Sequence, residues 1–275
     1  MPEKRVGLLG CGTIGSQLAI SVDSDKIVNA SLVALFDVAK DNLQNLKSKL
    51  YSSPEAYSDF GRFLASSTDI VVEAASQDAV RSFGKSILEE GKDMMVMSVG
   101  ALADGTFLSE LLQTAAKKGC RIYVPTGAIA GMDAIRSVRH LLDSVTLTTT
   151  KNPKALAGAP FFETSKIKID DIAKSTVIYE GAAAEAVRAF PANVNVAAVL
   201  SLAGIGVDKT KVKIVADPQA TMNRHEIAAT GSFGEIIIMV SNVPSPGNPK
   251  TSFLAVLSAI ECLRSICDGG MRIGS

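Results

Sequence analysis

The chain has 275 residues, enough for two domains or one large core, with 47% hydrophobic and 20% charged residues, a composition typical of folded globular proteins. Its 28 basic residues balance 28 acidic ones, so charge gives no reason to expect nucleic acid or an anionic membrane as a partner. The sequence contains no run of about 18 apolar residues, so no membrane helix is predicted. The start leaves no room for a signal peptide, and four scattered cysteines lack metal-binding spacing, so we expect a cytoplasmic protein without a metal site.

A glycine-rich turn follows the first predicted strand. The apolar segment 6–9 runs into Gly10-x-Gly12-x-x-Gly15, after which a helix is predicted. In a dinucleotide-binding loop the first glycine permits the tight turn, the second lets a pyrophosphate approach the backbone, and the third lets helix and strand pack closely. A second predicted strand ends in Asp37, 22 residues beyond Gly15, where such a fold needs an acceptor for ribose hydroxyls. The alternative is a structural turn followed by a solvated aspartate.

Strands and helices alternate through residues 1–133. Apolar runs at 68–75, 94–98 and 119–124 predict further strands with helical segments between them. This alternation predicts a doubly wound parallel sheet, in which ligands bind at the carboxyl ends of the strands. Those ends carry small residues, which suit a flat cofactor but also suit tight turns. The predicted cofactor-binding residues are Gly10, Gly12, Thr13, Ile14, Gly15, Asp37, Ala75, Ser76, Val99 and Gly100.

The pattern changes near residue 133. Segments 145–150 and 211–215 alternate in polarity and 235–240 is rich in isoleucine, which predicts a mixed or antiparallel sheet with one polar face. Helices are predicted at 180–189, 193–202 and 251–267. We therefore expect an α/β chain with two domains. Residues 1–133 form a Rossmann domain that binds a dinucleotide, and residues 134–275 form a substrate-binding and dimerisation α+β domain whose last helix, 251–267, can pack back on the first.

The chain contains two histidines. His140 lies in a helical run with mixed faces, which indicates a partly exposed structural residue. His225 lies on a predicted strand, and because an imidazole titrates near neutral pH it suits proton transfer. A lone histidine on a strand is more often structural, so the residues alone leave both interpretations open.

Two further stretches place polar residues in unusual settings. Asn193 and Asn195 stand at the start of an otherwise apolar helix, where one can cap the helix and the other is available to a cofactor carboxamide or a substrate. A proline-rich loop leads Lys250, Thr251 and Ser252 into the last predicted helix, a combination that can hold an anion. The alternative for this loop is a rigid surface segment with an ordinary helix cap.

Taken together, five stretches resemble the L-aspartate dehydrogenase family over nearly the whole chain. They are residues 10–15, 126–134, 190–198, 217–218 with 223–227, and 244–252. The resemblance implies a Rossmann domain followed by a smaller α/β domain that holds substrate and forms a dimer interface. It also implies His225 as the catalytic residue, with Ala130 and Asn195 touching the nicotinamide cofactor. The family oxidises L-aspartate to iminosuccinate, which hydrolyses to oxaloacetate and ammonia or feeds quinolinate synthesis for NAD.

The chemistry of this reaction assigns further roles. The substrate must lose a proton from its amine before hydride can leave Cα, so His225 is expected to accept that proton and later to activate water on the imine. The two substrate carboxylates need cationic or N–H partners. For one of them we predict Lys250 with Thr251 and Ser252, and Asn193 nearby.

The predicted cofactor is NAD. Asp37 should repel the 2′-phosphate of NADP, whereas Lys40 follows three residues later and the family tends to accept both cofactors, so NADP stays open as a second one. The expected partners are a small-molecule substrate, L-aspartate or oxaloacetate, and a second copy of the chain in a homodimer.

Two alternatives stay open. A dihydrodipicolinate reductase or homoserine dehydrogenase shares the two-domain plan, although the paired histidines expected of the former are absent. A non-catalytic NAD(H)-sensing protein would keep the glycine loop and Asp37 but would need neither His225 nor Lys250. Such a sensor would bind NADH without turning over any amino acid.

Overall fold

The computed structural model describes residues 2–191, 195–245, 248–268 and 270, and only the backbone of 248–250. The described chain forms two compact units. One contains the residues up to Pro125 together with those from Val256 onward, and the other is Thr126–Ala255. The predicted fold class, a Rossmann-type parallel sheet plus a second domain with a mixed sheet, is confirmed.

The first unit contains a six-stranded parallel sheet with helices between its strands. The strands are β1 Lys4–Leu9, β2 Ala30–Phe36, β3 Glu55–Tyr57, β4 Ile70–Glu73, β5 Asp93–Val96 and β6 Ile122–Tyr123. The helices are α1 Thr13–Asp23, α2 Lys40–Lys47, α3 Phe60–Leu64, α4 Gln77–Glu89 and α5 Gly105–Lys118, and most of the last helix of the chain, α11 Phe253–Cys267, belongs to this unit.

The strand order β3-β2-β1-β4-β5-β6 creates a topological switch point between β1 and β4. In open parallel sheets, ligands bind in the crevice outside the carboxyl ends of the strands at such a point. All four residues of β4 are buried, because helices cover both faces of a parallel sheet. Ala259 and Leu263 of α11 complete the hydrophobic core around β1.

The second unit is built on a five-stranded mixed sheet of order β11-β10-β7-β9-β8, with a two-stranded sheet beside it. The strands are β7 Leu142–Lys151, β8 Thr176–Ala182, β9 Lys211–Ala216, β10 Asn223–Gly231, β11 Gly234–Asn242, β12 Pro244–Ser245 and β13 Asn248–Ser252. The helices are α6 Met132–Ser137, α7 Pro153–Leu156, α8 Phe161–Thr164, α9 Ala183–Ala189 and α10 Asn195–Ala203.

Alternation along β7 and β10 gives the five-stranded sheet an inner and an outer face. In the carboxyl-terminal half of β7, every second residue from Val145 to Lys151 is buried, and β10 is buried at every second position from Asn223 to Ala229. Residues between them face outward. The inner face is apolar over most of its area and becomes polar where β7 ends and β10 begins.

Several predicted boundaries are wrong. The segment 180–182 belongs to β8 and not to the following helix, which begins at Ala183. The last helix begins at Phe253, because residues 250–252 continue the short strand β13. The structure also adds β3, a three-residue edge strand that the sequence analysis did not predict. Among the described residues, no helix is both long and apolar enough to cross a membrane.

Candidate active site

The glycine loop lies at the switch point of the first unit. Gly10 has φ +100°, and a Cβ atom there would lie 2.7 Å from the backbone carbon of Ala74, just after β4. A Cβ atom on Gly15 would lie 1.9 Å from the carbonyl oxygen of Gly10. Gly12 differs, because a Cβ atom there would meet nothing within 4 Å. The first and third glycines are therefore required by the fold, whereas the second borders open space.

This arrangement fits the pyrophosphate of a dinucleotide. The open space beside Gly12 lets a phosphate approach the backbone, and α1 begins at the next residue, Thr13. The first turn of a helix presents N–H groups and a partial positive charge to an anion. The predicted residues Thr13 and Ile14 lie in that first turn, and both are half-buried.

Asp37 holds the glycine loop in addition to its predicted role toward ribose. Its carboxylate accepts hydrogen bonds from the backbone N–H of Cys11 and of Ala39, both at 2.8 Å, and from Asn42 Nδ2 at 3.2 Å. These bonds fix the carboxylate at the end of β2. Burial, helped by the charge of Asp37, raises the pKa of the Cys11 thiol to about 12, so the thiol stays protonated and fills space.

Glu73 is a structural residue of this edge that the sequence analysis missed. It is fully buried at the end of β4, and its carboxylate accepts the N–H groups of Ala75 at 2.8 Å, Met97 at 3.2 Å and Ser98 at 3.0 Å. Ser98 Oγ donates a further bond at 2.8 Å. Burial is the largest influence on the pKa of Glu73 and raises it, while the hydrogen bonds oppose that shift. The carboxylate thereby ties the ends of β4 and β5 together.

The other predicted cofactor residues of this unit flank Glu73. Ala75 and Ser76 are exposed after β4, and Ser76 Oγ caps α4 by accepting the N–H of Ala79 at 3.1 Å. Val99 and Gly100 are buried after β5. The structure thus brings the predicted residues of β1, β2, β4 and β5 to one edge of the sheet.

His225 lies on the inner face of the second unit. It is 2% exposed, and its Nδ1 atom lies 3.0 Å from Thr149 Oγ1 on the neighbouring strand β7. Burial, followed by the charge of Lys151, lowers the pKa of His225 to about 3, so the imidazole is neutral near pH 7. When Nδ1–H donates to Thr149, the Nε2 lone pair is left to accept a proton.

Lys151 is the second ionisable residue of this face, and the sequence analysis missed it. It follows Thr149 by two positions on β7, so both side chains lie on the same buried face. Lys151 is 4% exposed, and burial lowers its pKa to about 8. The signal was available, because the alternation of residues 145–150 places residue 151 inward.

The remaining predicted residues have diverse placements. Ala130 is exposed before α6, and Asn195 is half-buried as the first residue of α10. Ser252 is buried in β13, where its Oγ accepts a bond from Asn223 Nδ2 at 3.2 Å, and Thr251 beside it is half-buried. The two are therefore strand residues and not the first turn of a helix. Asn193 lies outside the described residues, as does the side chain of Lys250.

His140 is exposed after α6, and its Nε2 accepts a bond from Arg139 Nε at 3.2 Å. Over residues 2–191, 195–245, 248–268 and 270, no group of three or more His, Cys, Asp or Glu side chains could hold a metal ion.

Comparisons with known proteins agree with this geometry. The family model described as aspartate dehydrogenase, C-terminal, matches residues 133–266, and one described as homoserine dehydrogenase, NAD binding domain, matches residues 10–125. The L-aspartate dehydrogenase of Nitrosopumilus maritimus is 48% identical over 99% of this chain and 100% of its own length. That of Methanosarcina barkeri is 47% identical over 95% of this chain and 96% of its own.

Solved structures give the same picture. The crystal structure of aspartate dehydrogenase from Thermotoga maritima matches with a TM-score of 0.76 and 27% identity, covering 98% of this chain and 100% of that one. The scyllo-inositol dehydrogenase of Lactobacillus casei, at 17% identity, 98% and 91% coverage and a TM-score of 0.60, shares the fold alone. The chain is thus an NAD(P)-dependent oxidoreductase with an NAD-binding Rossmann unit, and it belongs to the L-aspartate dehydrogenase family.

Proposed function

We propose that this chain catalyses the oxidative deamination of L-aspartate to iminosuccinate, with His225 as general acid and base. The observation that supports this role is the buried, neutral imidazole beside Thr149. Bound NAD would accept hydride from Cα of the substrate. The residues predicted to hold it are those at the edge of the Rossmann sheet, together with Ala130 and Asn195. Asp37 directly follows β2, and its carboxylate should repel the 2′-phosphate of NADP. We therefore propose NAD as the preferred cofactor, with NADP as a second one to test.

The imidazole has two tasks in this proposal. Hydride departure requires the lone pair of a neutral amine, so His225 accepts a proton from the substrate ammonium through Nε2. Thr149 Oγ1 accepts the Nδ1–H bond, which orients the ring and stabilises the imidazolium that forms. The imidazolium then releases its proton to solvent, and the neutral imidazole can take a proton from a water molecule that attacks the imine carbon, leading to oxaloacetate and ammonia.

The substrate has two carboxylates to be held. For one of them we propose Lys250, Thr251, Ser252 and Asn193. Support comes from Ser252, whose buried hydroxyl lies against Asn223, two positions before His225 on β10. In the cell, we propose that the imine product is passed on to quinolinate formation in NAD biosynthesis, in the cytoplasm. Incubating the enzyme with a quinolinate-forming partner and comparing quinolinate with oxaloacetate yields tests this fate.

Turnover tests the activity directly. NADH formation is followed at alkaline pH with L-aspartate as substrate. Separate assays replace it with D-aspartate, L-glutamate, L-alanine or L-homoserine. L-homoserine is included because the matching NAD-binding model is that of homoserine dehydrogenases. We expect turnover with L-aspartate alone, and its loss in His225→Asn. His140→Asn is the matched control, since His140 is exposed.

Different outcomes point to the alternatives. Turnover of L-homoserine but not of L-aspartate would identify a homoserine dehydrogenase. NADH binding without turnover of any amino acid would identify a sensor. Full activity in His225→Asn would refute the role of the imidazole even if aspartate is the substrate.

We also propose that two copies form a homodimer through the outer face of the five-stranded sheet. Support comes from its edge strand β11, where Ile237 is 70% exposed and Met239 60% exposed. Two large apolar side chains in alternate positions of one edge strand are unfavourable in water and favour burial by a second sheet. Light scattering should halve the mass for Ile237→Glu with Met239→Glu. Val177→Glu, on the opposite edge strand β8, is the control.

A further inference from the structure

We infer that Lys151 is the buried cation that binds a substrate carboxylate beside His225. Lys151 and His225 are the only ionisable side chains buried on the inner face of the sheet among the described residues of β7 to β11. The inference rests on the proposed function, because it concerns how that reaction's dicarboxylate substrate is held.

Geometry places Lys151 at the proposed site. The β7–β10 ladder pairs Thr149 with His225 and Thr150 with Arg224, and Lys151 follows as the next residue of β7. Inward side chains two residues apart on a strand are neighbours on one face, so Lys151 adjoins Thr149 and the start of β10. The charge of Lys151, after burial, also lowers the pKa of the imidazole.

The backbone around Lys151 is firmly positioned. Its carbonyl oxygen accepts the N–H of Asp217 at 2.9 Å, and β9 pairs with it through Ala216. Asn152 Nδ2 donates to the carbonyl oxygen of Pro218 at 3.1 Å. The Asp217-Pro218 pair of the sequence pattern thus fixes the end of β7, and with it the lysine.

A buried ammonium next to a neutral imidazole is matched to an anionic substrate. Burial alone lowers the pKa of Lys151 to about 8, since a charged group loses its hydration there. A bound carboxylate would form a charge-assisted bond with the ammonium and would offset its repulsion of a protonated His225. Substrate binding would therefore strengthen the base as the substrate ammonium needs to lose its proton.

Binding of succinate, a dicarboxylate that cannot be oxidised at a C–N bond, tests the inference without turnover. Calorimetry compares wild type with Lys151→Met, using succinamide as the uncharged analogue. We expect Lys151→Met to weaken succinate binding and to raise KM for L-aspartate by about tenfold to a hundredfold, the loss expected for one charge-assisted bond. NADH affinity should stay within about twofold, as the residue is not part of the glycine loop.

Matched controls separate a binding role from a structural one. Lys213→Met makes the same change on β9, where Lys213 pairs with Glu180 at 3.3 Å, and should leave succinate binding unchanged. A structural role would weaken succinate and succinamide equally, whereas a carboxylate-binding role removes the preference for succinate. Equal losses for both ligands, or unchanged succinate affinity in folded Lys151→Met, would overturn the inference.

A second variant and a pH series cover the case in which Lys151→Met does not fold. Lys151→Gln replaces Lys151→Met if the latter does not fold. If neither folds, succinate affinity of the wild type should fall as pH rises above about 8, where Lys151 loses its proton. A constant affinity up to about pH 10 would overturn the inference. Wild type that binds succinate through Lys151 but does not oxidise aspartate would refute the proposed reaction alone.

Discussion

Gly12 and Gly15 should respond in opposite ways to the same substitution. Both belong to the glycine loop, and in both cases glycine to alanine adds a single methyl group. At Gly15 the new Cβ would lie 1.9 Å from the carbonyl oxygen of Gly10, whereas at Gly12 it would meet no protein atom within 4 Å. We therefore predict that Gly15→Ala damages the fold, and that Gly12→Ala damages only cofactor binding.

The magnitudes follow from these distances. Real Cβ contacts essentially never fall below 3.0 Å, so Gly15→Ala requires backbone to move by at least 1.1 Å, the difference between 3.0 and 1.9 Å. Forcing extra volume into a packed site costs about 1–3 kcal/mol. Gly12 has φ −69° and ψ −165°, which alanine adopts without strain. Alanine leaves the unfolded chain fewer conformations than glycine does, which favours the folded state by about 0.4–1 kcal/mol. Alanine is also a poorer helix N-cap than glycine, which opposes this gain, so the net change in stability stays below about 1 kcal/mol.

Thermal unfolding and NADH fluorescence titration measure the two effects separately. For Gly12→Ala we expect an almost unchanged melting temperature and NADH binding weakened at least about tenfold, or about 1.4 kcal/mol. For Gly15→Ala we expect a melting temperature lower by several degrees. Wild-type NADH affinity in Gly12→Ala would refute the argument that a pyrophosphate approaches that glycine. Wild-type stability in Gly15→Ala would refute the packing argument.

Three more predictions concern buried polar groups. Glu73→Gln should lower the free energy of unfolding by about 2–3 kcal/mol in urea, because both oxygens accept N–H bonds and the amide NH2 cannot; exposed Glu89→Gln should not. Thr149→Val should lower kcat about tenfold in steady-state assays, whereas Thr149→Ser keeps the bond. The pKa of His225 is ordinarily 6.5 and is about 3 in the folded protein, so as pH drops the unfolded chain binds a proton at this residue before the folded protein does. Wild-type stability is therefore lost between those pH values, and urea melts of His225→Asn should show a weaker loss.

The first unit could be predicted almost completely from its sequence. Its strands are continuous apolar runs because both faces are covered, and Gly10 and Gly15 stand where backbones approach one another, so local pattern and tertiary structure agree there. Glu73 was missed for a physical reason. A carboxylate at the end of a buried strand has the same sequence pattern whether it binds a ligand or caps backbone N–H groups, and only the distances distinguish these roles.

The second unit was predicted less well at its boundaries. Residues 180–182 are small or helix-favouring, yet they pair with β9, because sheet pairing overrides weak local preference. Thr251 and Ser252 were expected at the start of the last helix, whereas Ser252 ends β13 and accepts a bond from Asn223. Strand periodicity places His225 on the inner face and Arg224 on the outer face of β10.

Lys151 shows what such periodicity can reveal when it is followed to the end of a strand. Valine, leucine and threonine at 145, 147 and 149 define a buried row, and the next member of that row is a lysine. Burying an ammonium costs free energy, so a fold that placed it there for packing would be better served by a methionine or leucine. In the proposed role of Lys151, a bound carboxylate offsets part of that cost on the face that also holds His225, the one buried imidazole among the described residues. Under this proposal, Lys151 lowers the stability of the free enzyme and contributes to the recognition of a negatively charged substrate beside the imidazole proposed to take its proton.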